Sequence, residues 1–196
     1  MIEYRRKFPG QSEFTTLFCD GKHSQKIDYK YFDDIETYYI TKYRSNDISR
    51  HSTWYLKNGV YHGEYCTYHE SGRIESKCKF VEGEKHGLEQ TFYIDGSVKF
   101  EANYRFGKLH GAYRNFLGSE EVETANYVND LLHGTYQKID NTTRIVRQYN
   151  MGKLHGLCIV YESDSIVKQF TMKNGVLHGP HMSIECCYTV NDNYFN

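Results

Sequence analysis

Charge of one sign is what this sequence lacks first: 24 Lys and Arg stand against 25 Asp and Glu over 196 residues, a formal net charge of −1. A balanced chain offers no electrostatic reason to bind nucleic acid or an anionic membrane. The one dense basic run, Arg5-Arg6-Lys7, is explained as well by an exposed terminus as by a phosphate contact. No hydrophobic run approaches the ~18 residues of a membrane-spanning helix. The opening MIEYRRKFPG has a basic patch with no apolar segment behind it, so a secretory leader is not expected either. The cysteines, at 19, 66, 78, 158, 186 and 187, have neither CxxC spacing nor the density of a secreted scaffold. Reduced thiols in a cytoplasmic protein are the expectation. One pairing stays open, because Cys66 and Cys78 lie symmetrically about Ser71-Gly72 and could face each other across a hairpin.

Catalytic motifs are missing too. No G-x-S-x-G, P-loop or H-E-x-x-H stretch occurs. His23, His51, His69 and His181 share no metal-ligand spacing, and Cys186-Cys187 fit packing thiols at a sheet end better than nucleophiles. What is abundant is tyrosine, 19 residues within an aromatic fraction of 16%, at a mean hydropathy of −0.73. Disordered chains are poor in aromatics, so the combination predicts a thin structure whose buried area comes from amphipathic rings.

The stretch GKLHG occurs at 107–111 and again at 152–156, with relatives at 59–63, 83–87, 130–134 and 175–179. The closing glycines, Gly63, Gly87, Gly111, Gly134, Gly156 and Gly179, are separated by 24, 24, 23, 22 and 23 residues. A fixed period of this size marks an array in which each unit buries its face against the next. Five residues after that glycine come Tyr68, Phe92, Phe116, Ile139, Tyr161 and Ile184. Three residues before the first glycine, or the Asp130 that replaces it, come Leu56, Phe80, Tyr104, Tyr127, Tyr149 and Met172. Between these lies a second set of turn residues: Ser71-Gly72, Asp95-Gly96, Gly118-Ser119, Asn141-Thr142 and Asp164-Ser165. Turn dipeptides flanking short runs of β-formers are the hairpin signature. Along 98–104, Val98, Phe100, Ala102 and Tyr104 alternate with Lys99, Glu101 and Asn103, as a half-buried strand requires. The expected fold is all-β, an elongated single-layer antiparallel meander of tandem ~23-residue hairpins.

Residues 58–179 hold the tandem repeats. Residues 1–57 read as one or two degenerate units or a cap, with Asp33-Asp34-Ile35-Glu36 one period before the first turn and Asn46-Asp47 and Asp20-Gly21 as mid-turns. Residues 180–196 read as a capping strand and the tail Tyr194-Phe195. Positions two and five after the HG glycine have opposite parity. Either a bulge follows the glycine or both faces carry aromatics.

The six HG pairs are His62-Gly63, His86-Gly87, His110-Gly111, His133-Gly134, His155-Gly156 and His178-Gly179. Equivalent residues of neighbouring hairpins lie ~9–10 Å apart along a sheet, and zinc–imidazole bonds are only ~2 Å long, so neighbouring units do not converge on one ion. A catalytic group, moreover, is needed once and not six times. The pairs are therefore expected to be structural, each His bonding a turn carbonyl or stacking on the next unit while its Gly leaves room for a ring. The first glycine supplies a positive φ that Asp130 tolerates. No metal or cofactor is expected. Tyr65, Tyr113, Tyr136 and Tyr161 are the candidate binding aromatics.

Units such as Tyr149-Asn150-Met151-Gly152-Lys153-Leu154-His155-Gly156 resemble MORN repeats of the GK-x-HG variant, over 55–188 in register and more loosely over 10–54. The resemblance implies a curved antiparallel meander with one aromatic-lined groove. MORN arrays occur beside kinase or methyltransferase domains, in junctional membrane proteins, in bacterial proteins described as antitoxins, and in large DNA viruses. No appended enzyme domain is expected beside this array. The expectation is a non-enzymatic scaffold joined to protein partners in a larger assembly, with a minor virion protein of a large DNA virus as its most concrete version. Localisation is then cytoplasmic, or the virion, without secretion. The alternative is a regulatory binder of the antitoxin kind; a lipid-attachment module ranks below both. End-to-end or edge-strand association is also expected, because an open meander leaves its terminal strands free to pair.

Overall fold

The computed structural model describes residues 2–6, 13–19, 24–32, 37–43, 49–185 and 188–192, with side chains at 39–43 and 49–183. Strand dominates the described residues, no helix occurs among them, and strands pair antiparallel in an open meander. The chain clusters into two compact units, 1–98 with 104–107, and 99–103 with 108–196.

The first unit contains β1 (Ile2–Arg6), β2 (Glu13–Cys19), β3 (Ser24–Phe32), β4 (Thr37–Tyr43) and β5 (Arg50–Lys57). It continues with β6 (Val60–Tyr68), β7 (Ile74–Val81), β8 (Glu84–Lys85) and β9 (Gly87–Phe92). Strand β10 (Val98–Arg105) contributes residues to both units. The second unit contains β11 (Lys108–Leu117), β12 (Glu120–Val128), β13 (Leu131–Leu132), β14 (Gly134–Asp140) and β15 (Thr143–Asn150). It ends with β16 (Lys153–Glu162), β17 (Ser165–Lys173), β18 (Val176–Leu177), β19 (His181–Glu185) and β20 (Tyr188–Asp192).

From β5 onward one edge of each hairpin is a two-residue turn, closed by pairs such as Lys57↔Val60, Val128↔Leu131 and Asn150↔Lys153. Both central residues have positive φ, 50° and 79° at Asn58-Gly59 and 45° and 80° at Met151-Gly152. This is the type I′ geometry whose twist matches that of the flanking strands. Asp130 takes the second place at φ 67°. It is not merely tolerated there: its carboxylate Oδ1 accepts the Leu109 N–H at 2.7 Å.

The HG pair is a bulge of two residues. Leu56 pairs with Tyr61 and Trp54 with Tyr65, so Tyr55 alone faces three residues, 62 to 64. The same slip of two recurs between Tyr149↔Leu154 and Arg147↔Cys158. It recurs again between Met172↔Leu177 and Lys168↔Ser183. Every HG glycine has positive φ, from 80° to 106°. An even insertion leaves side-chain parity unchanged, so each strand keeps its faces through the bulge.

The opposite edge accounts for the uneven period. Across β14–β15 the pairing runs unbroken to Asp140↔Thr143, and that unit is the 22-residue one. Across β11–β12 and β16–β17 a one-residue bulge precedes a two-residue turn, giving 23. Across β6–β7 the bulge is joined by a longer loop in which His69 N–H donates to Arg73 O at 2.9 Å; the Tyr93–Ser97 loop repeats that bond, and both units span 24. In the last unit the turn residues are Ser163-Asp164, with Ser165 already in β17, one place earlier than the sequence reading set them.

The first four strands lack the HG bulge. The β1–β2, β2–β3 and β3–β4 ladders are continuous, and β4–β5 is continuous from Thr37↔Lys57 to Lys42↔Ser52. The stretches 33–36, Asn46-Asp47, Asp20-Gly21, Cys186-Cys187 and Tyr194-Phe195 lie outside the described residues.

The open disulfide question is answered by register. Cys66 pairs with Lys77 and Cys78 with Tyr65, so the two thiols point to opposite faces, and both are free. Burial pushes Cys66 up to about 12 and Cys78 to about 11, and raises Cys158. Thiolate is the nucleophile. These three are therefore expected to react slowly with a thiol reagent at pH 8 and quickly once denatured, which cysteine-resolved mass spectrometry of the labelled protein would read.

Candidate functional site

Alternation along the strands sorts rings onto faces. In the second unit one face carries Phe100, Tyr113, Tyr127, Tyr136 and Tyr149, with ring centroids 5.3 Å apart for Phe100–Tyr113, 5.7 Å for Tyr113–Tyr127 and 6.2 Å for Tyr136–Tyr149. Ala125, 3% exposed, pairs with Tyr113 on one side and, in the register Thr124↔Gln137, lies beside Tyr136 on the other. A small side chain here lets the two tyrosines close over the strand. Their hydroxyls join a polar network. Asn115 Nδ2 donates to Tyr113 Oη and to Glu123 Oε2, both at 3.0 Å, and Tyr136 O–H donates to Glu123 Oε1 at 2.8 Å.

Burial first, and then the bond to Glu123, pushes the Tyr136 phenol up to about 12. Burial likewise raises Tyr113 and Tyr127. A raised folded-state value means that the stabilisation is complete below the ordinary tyrosine range near 10 and is lost as pH climbs from there toward 12. Alkaline titration followed by circular dichroism is expected to show the fold weakening over that window. Tyr136→Phe, which has no proton to lose, is expected to make the loss shallower.

In the first unit the corresponding face holds Trp54, Tyr61, Tyr65 and Phe80. Trp54 stacks on Tyr65 at 6.0 Å, and Tyr61 and Tyr65 meet Phe80 at 5.2 and 6.0 Å. Burial and the neighbouring Tyr61 raise the Tyr65 phenol. Beside them a salt bridge, Lys85 Nζ to Glu89 Oε1 at 2.6 Å, sits with Lys85 5.1 Å from the Tyr104 ring.

The candidate aromatics are thus not all in one place. Tyr113 and Tyr136 share a face, and Tyr65 holds the same repeat position in the first unit. Tyr161 lies on the other face of the second unit, directly opposite Arg144, whose guanidinium stands 4.0 Å over its ring. Its repeat position, five after the HG glycine, follows a cation–ring rule of its own: Arg50 lies 5.1 Å over Tyr68 and Lys77 5.5 Å over Phe92. The parity question is therefore answered by rings on two faces; the HG bulge lies before both positions and, being of two residues, leaves their parity unchanged. Counting parity back from the turn, together with the cations one strand away, was the signal for this second column. On this second face of the first unit, Glu64, Lys77, Lys79, Leu88 and Gln90 line a shallow trough of ≈ 470 Å³.

Three of the HG histidines contact the next turn. His110 Nδ1 is 3.3 Å from Asn129 Oδ1, His155 Nδ1 is 3.1 Å from Asn174 Oδ1, and the His86 ring meets Phe106 edge-on at 5.1 Å. In each case the partner is the side chain of the first central residue of the following type I′ turn: His86 stacks on the next unit, one of the two expected arrangements, and His110 and His155 meet an asparagine side chain in place of a turn carbonyl. Successive turns are also joined through backbone. In the first unit the Gly83 and Gly107 N–H groups donate to Tyr61 O and Lys85 O. In the second, those of Asp130, Gly152 and Gly175 donate to Leu109 O, Leu132 O and Leu154 O. The glycine leaves the turn low enough for the preceding unit to lie on it: a Cβ on Gly152 would stand 3.3 Å from Leu131 Cδ2.

Among the described residues no group of three or more His, Cys, Asp and Glu is placed to hold a metal ion, and no helix is long and apolar enough to cross a membrane. No known family profile and no curated protein matches this sequence.

Proposed function

We propose that this protein is a non-enzymatic, MORN-type repeat scaffold that binds protein partners through its aromatic faces within a larger assembly. The observation that carries the reading is the ring stacks themselves. Trp54, Tyr65, Tyr113 and Tyr136 are only partly buried, and Tyr61 is 39% exposed, on faces that no second layer covers among the described residues. Partly exposed tyrosine and tryptophan with hydroxyls already oriented are the side chains that carry protein interfaces. A minor virion component is the most concrete form of this scaffold, and an antitoxin-like binder is the alternative.

Native capture of the untagged protein from its source, with quantitative mass spectrometry, tests it. Fixed stoichiometry with an abundant shell or scaffold protein, lost in Tyr113→Ser/Tyr136→Ser, is the expected result. A single scarce toxin or enzyme as sole partner would replace the scaffold with the regulator. Retention on protein-free liposomes would point instead to lipid attachment.

A further inference from the structure

The tetrapeptide Lys-Asn-Gly-Val occurs twice, at 57–60 and at 173–176. Both copies form the same turn, with φ 50° and 79° at Asn58-Gly59 and 52° and 87° at Asn174-Gly175. Local sequence and local backbone are therefore matched, and only the tertiary setting differs. Asn174 is held: its Oδ1 lies 3.1 Å from His155 Nδ1, its own N–H points at the same ring nitrogen at 3.4 Å, and Gly175 N–H donates to Leu154 O at 2.8 Å. Among the described residues neither the Asn58 side chain nor the Gly59 N–H has such a partner.

We infer that Asn58 is a site of spontaneous covalent modification, and that His155 and Leu154 suppress the same reaction at Asn174. The Gly59 backbone nitrogen loses its proton and attacks the Asn58 Cγ. A five-membered succinimide forms as the C–N bond is made, and the side-chain amide leaves as ammonia. Water then opens the ring, giving aspartate where it cuts the new Cγ–N bond and leaves the α-peptide intact, and isoaspartate where it cuts the bond between the α-carbonyl carbon and that nitrogen. The sum is amide plus water to carboxylic acid plus ammonia, with no redox change.

Attack requires the Asn carboxamide to rotate toward the next backbone nitrogen and that N–H to be released. At Asn174 two hydrogen bonds must open first; at Asn58 none is found among the described residues. The product matters for the fold. A carboxylate appears at the turn that joins the unbulged β4–β5 ladder to the first HG-bulged strand, and in the isoaspartate an extra methylene enters a two-residue turn that has no slack.

The test is incubation of the full-length protein at pH 8 and 37 °C, with peptide mapping for the 1 Da gain and enzymatic detection of isoaspartate at each site. Asn58 is expected to convert at least about tenfold faster than Asn174, a factor that corresponds to ~1.4 kcal/mol. In His155→Ala the Asn174 rate is expected to rise toward that of Asn58 while the Asn58 rate stays put. In urea the two sites should react alike. Equal rates in the native protein would overturn the inference, as would a native-like His155→Ala protein in which Asn174 stays slow. General unfolding of that variant would raise both rates together; the contrast between the two sites in the parent protein then decides.

Discussion

Gly156→Val is expected to be among the most damaging single substitutions in the array, removing about 2–5 kcal/mol of stability. Two costs combine. The backbone there has φ 106°, which a side chain with a Cβ adopts only under strain and a β-branched one hardly at all. The space is also taken, since a Cβ would stand 3.0 Å from Gln148 Cβ, against 3.3 Å from Asn103 Cβ at Gly111. Gly134 shares the positive φ, 83°, but has nothing within 4 Å of the same point. Gly134→Val should therefore show the strain alone, about 1–2 kcal/mol. Chemical denaturation of the pair separates the two contributions. Equal losses at 134 and 156 would mean that the Gln148 contact plays no part.

Ala125→Leu is expected to cost about 1–3 kcal/mol, the usual range for added bulk in a filled site. Ala125 is 3% exposed between Tyr113 and Tyr136, so extra carbon atoms must push one tyrosine off the strand. Displacing Tyr136 also breaks its bond to Glu123 and leaves a half-buried carboxylate short of one donor. The measurement is twofold: the denaturation midpoint, and the alkaline titration, in which the raised Tyr136 value should fall back toward 10. A loss of stability with the titration unchanged would show that the leucine is accommodated elsewhere.

Much of this architecture is legible in the residues, because its rules are local. Gly at the second turn position and Asn at the first announce a type I′ hairpin wherever they occur, and a 22- to 24-residue beat announces the array. The face of Tyr161 was legible only on the condition that no bulge separates it from Cys158. The ladder from Arg147↔Cys158 to Arg144↔Tyr161 is unbroken, but a bulge is a property of two strands and not of one. The same limit hid the HG bulge. A glycine with positive φ reads as a turn or a packing gap, and only the slip from Leu56↔Tyr61 to Trp54↔Tyr65 shows two residues standing outside the ladder. Phe106 and Met151 were hidden for another reason. They hold the strained first turn position, at φ 48° and 45°, where propensity alone predicts Asn.

The two edges of each hairpin have unequal freedom to change. At one, the turn and the HG bulge have constant length, and each turn from Glu82-Gly83 onward is tied to its predecessor by a backbone bond whose donor belongs to the later unit. At the other, loops lengthen by a residue or gain a bulge without disturbing what the strands present. A repeat of this kind can therefore vary its length on one margin while its opposite margin stays in phase. A block cut out between two type I′ turns would take with it a whole number of hairpins, and the faces on either side of the join would still match.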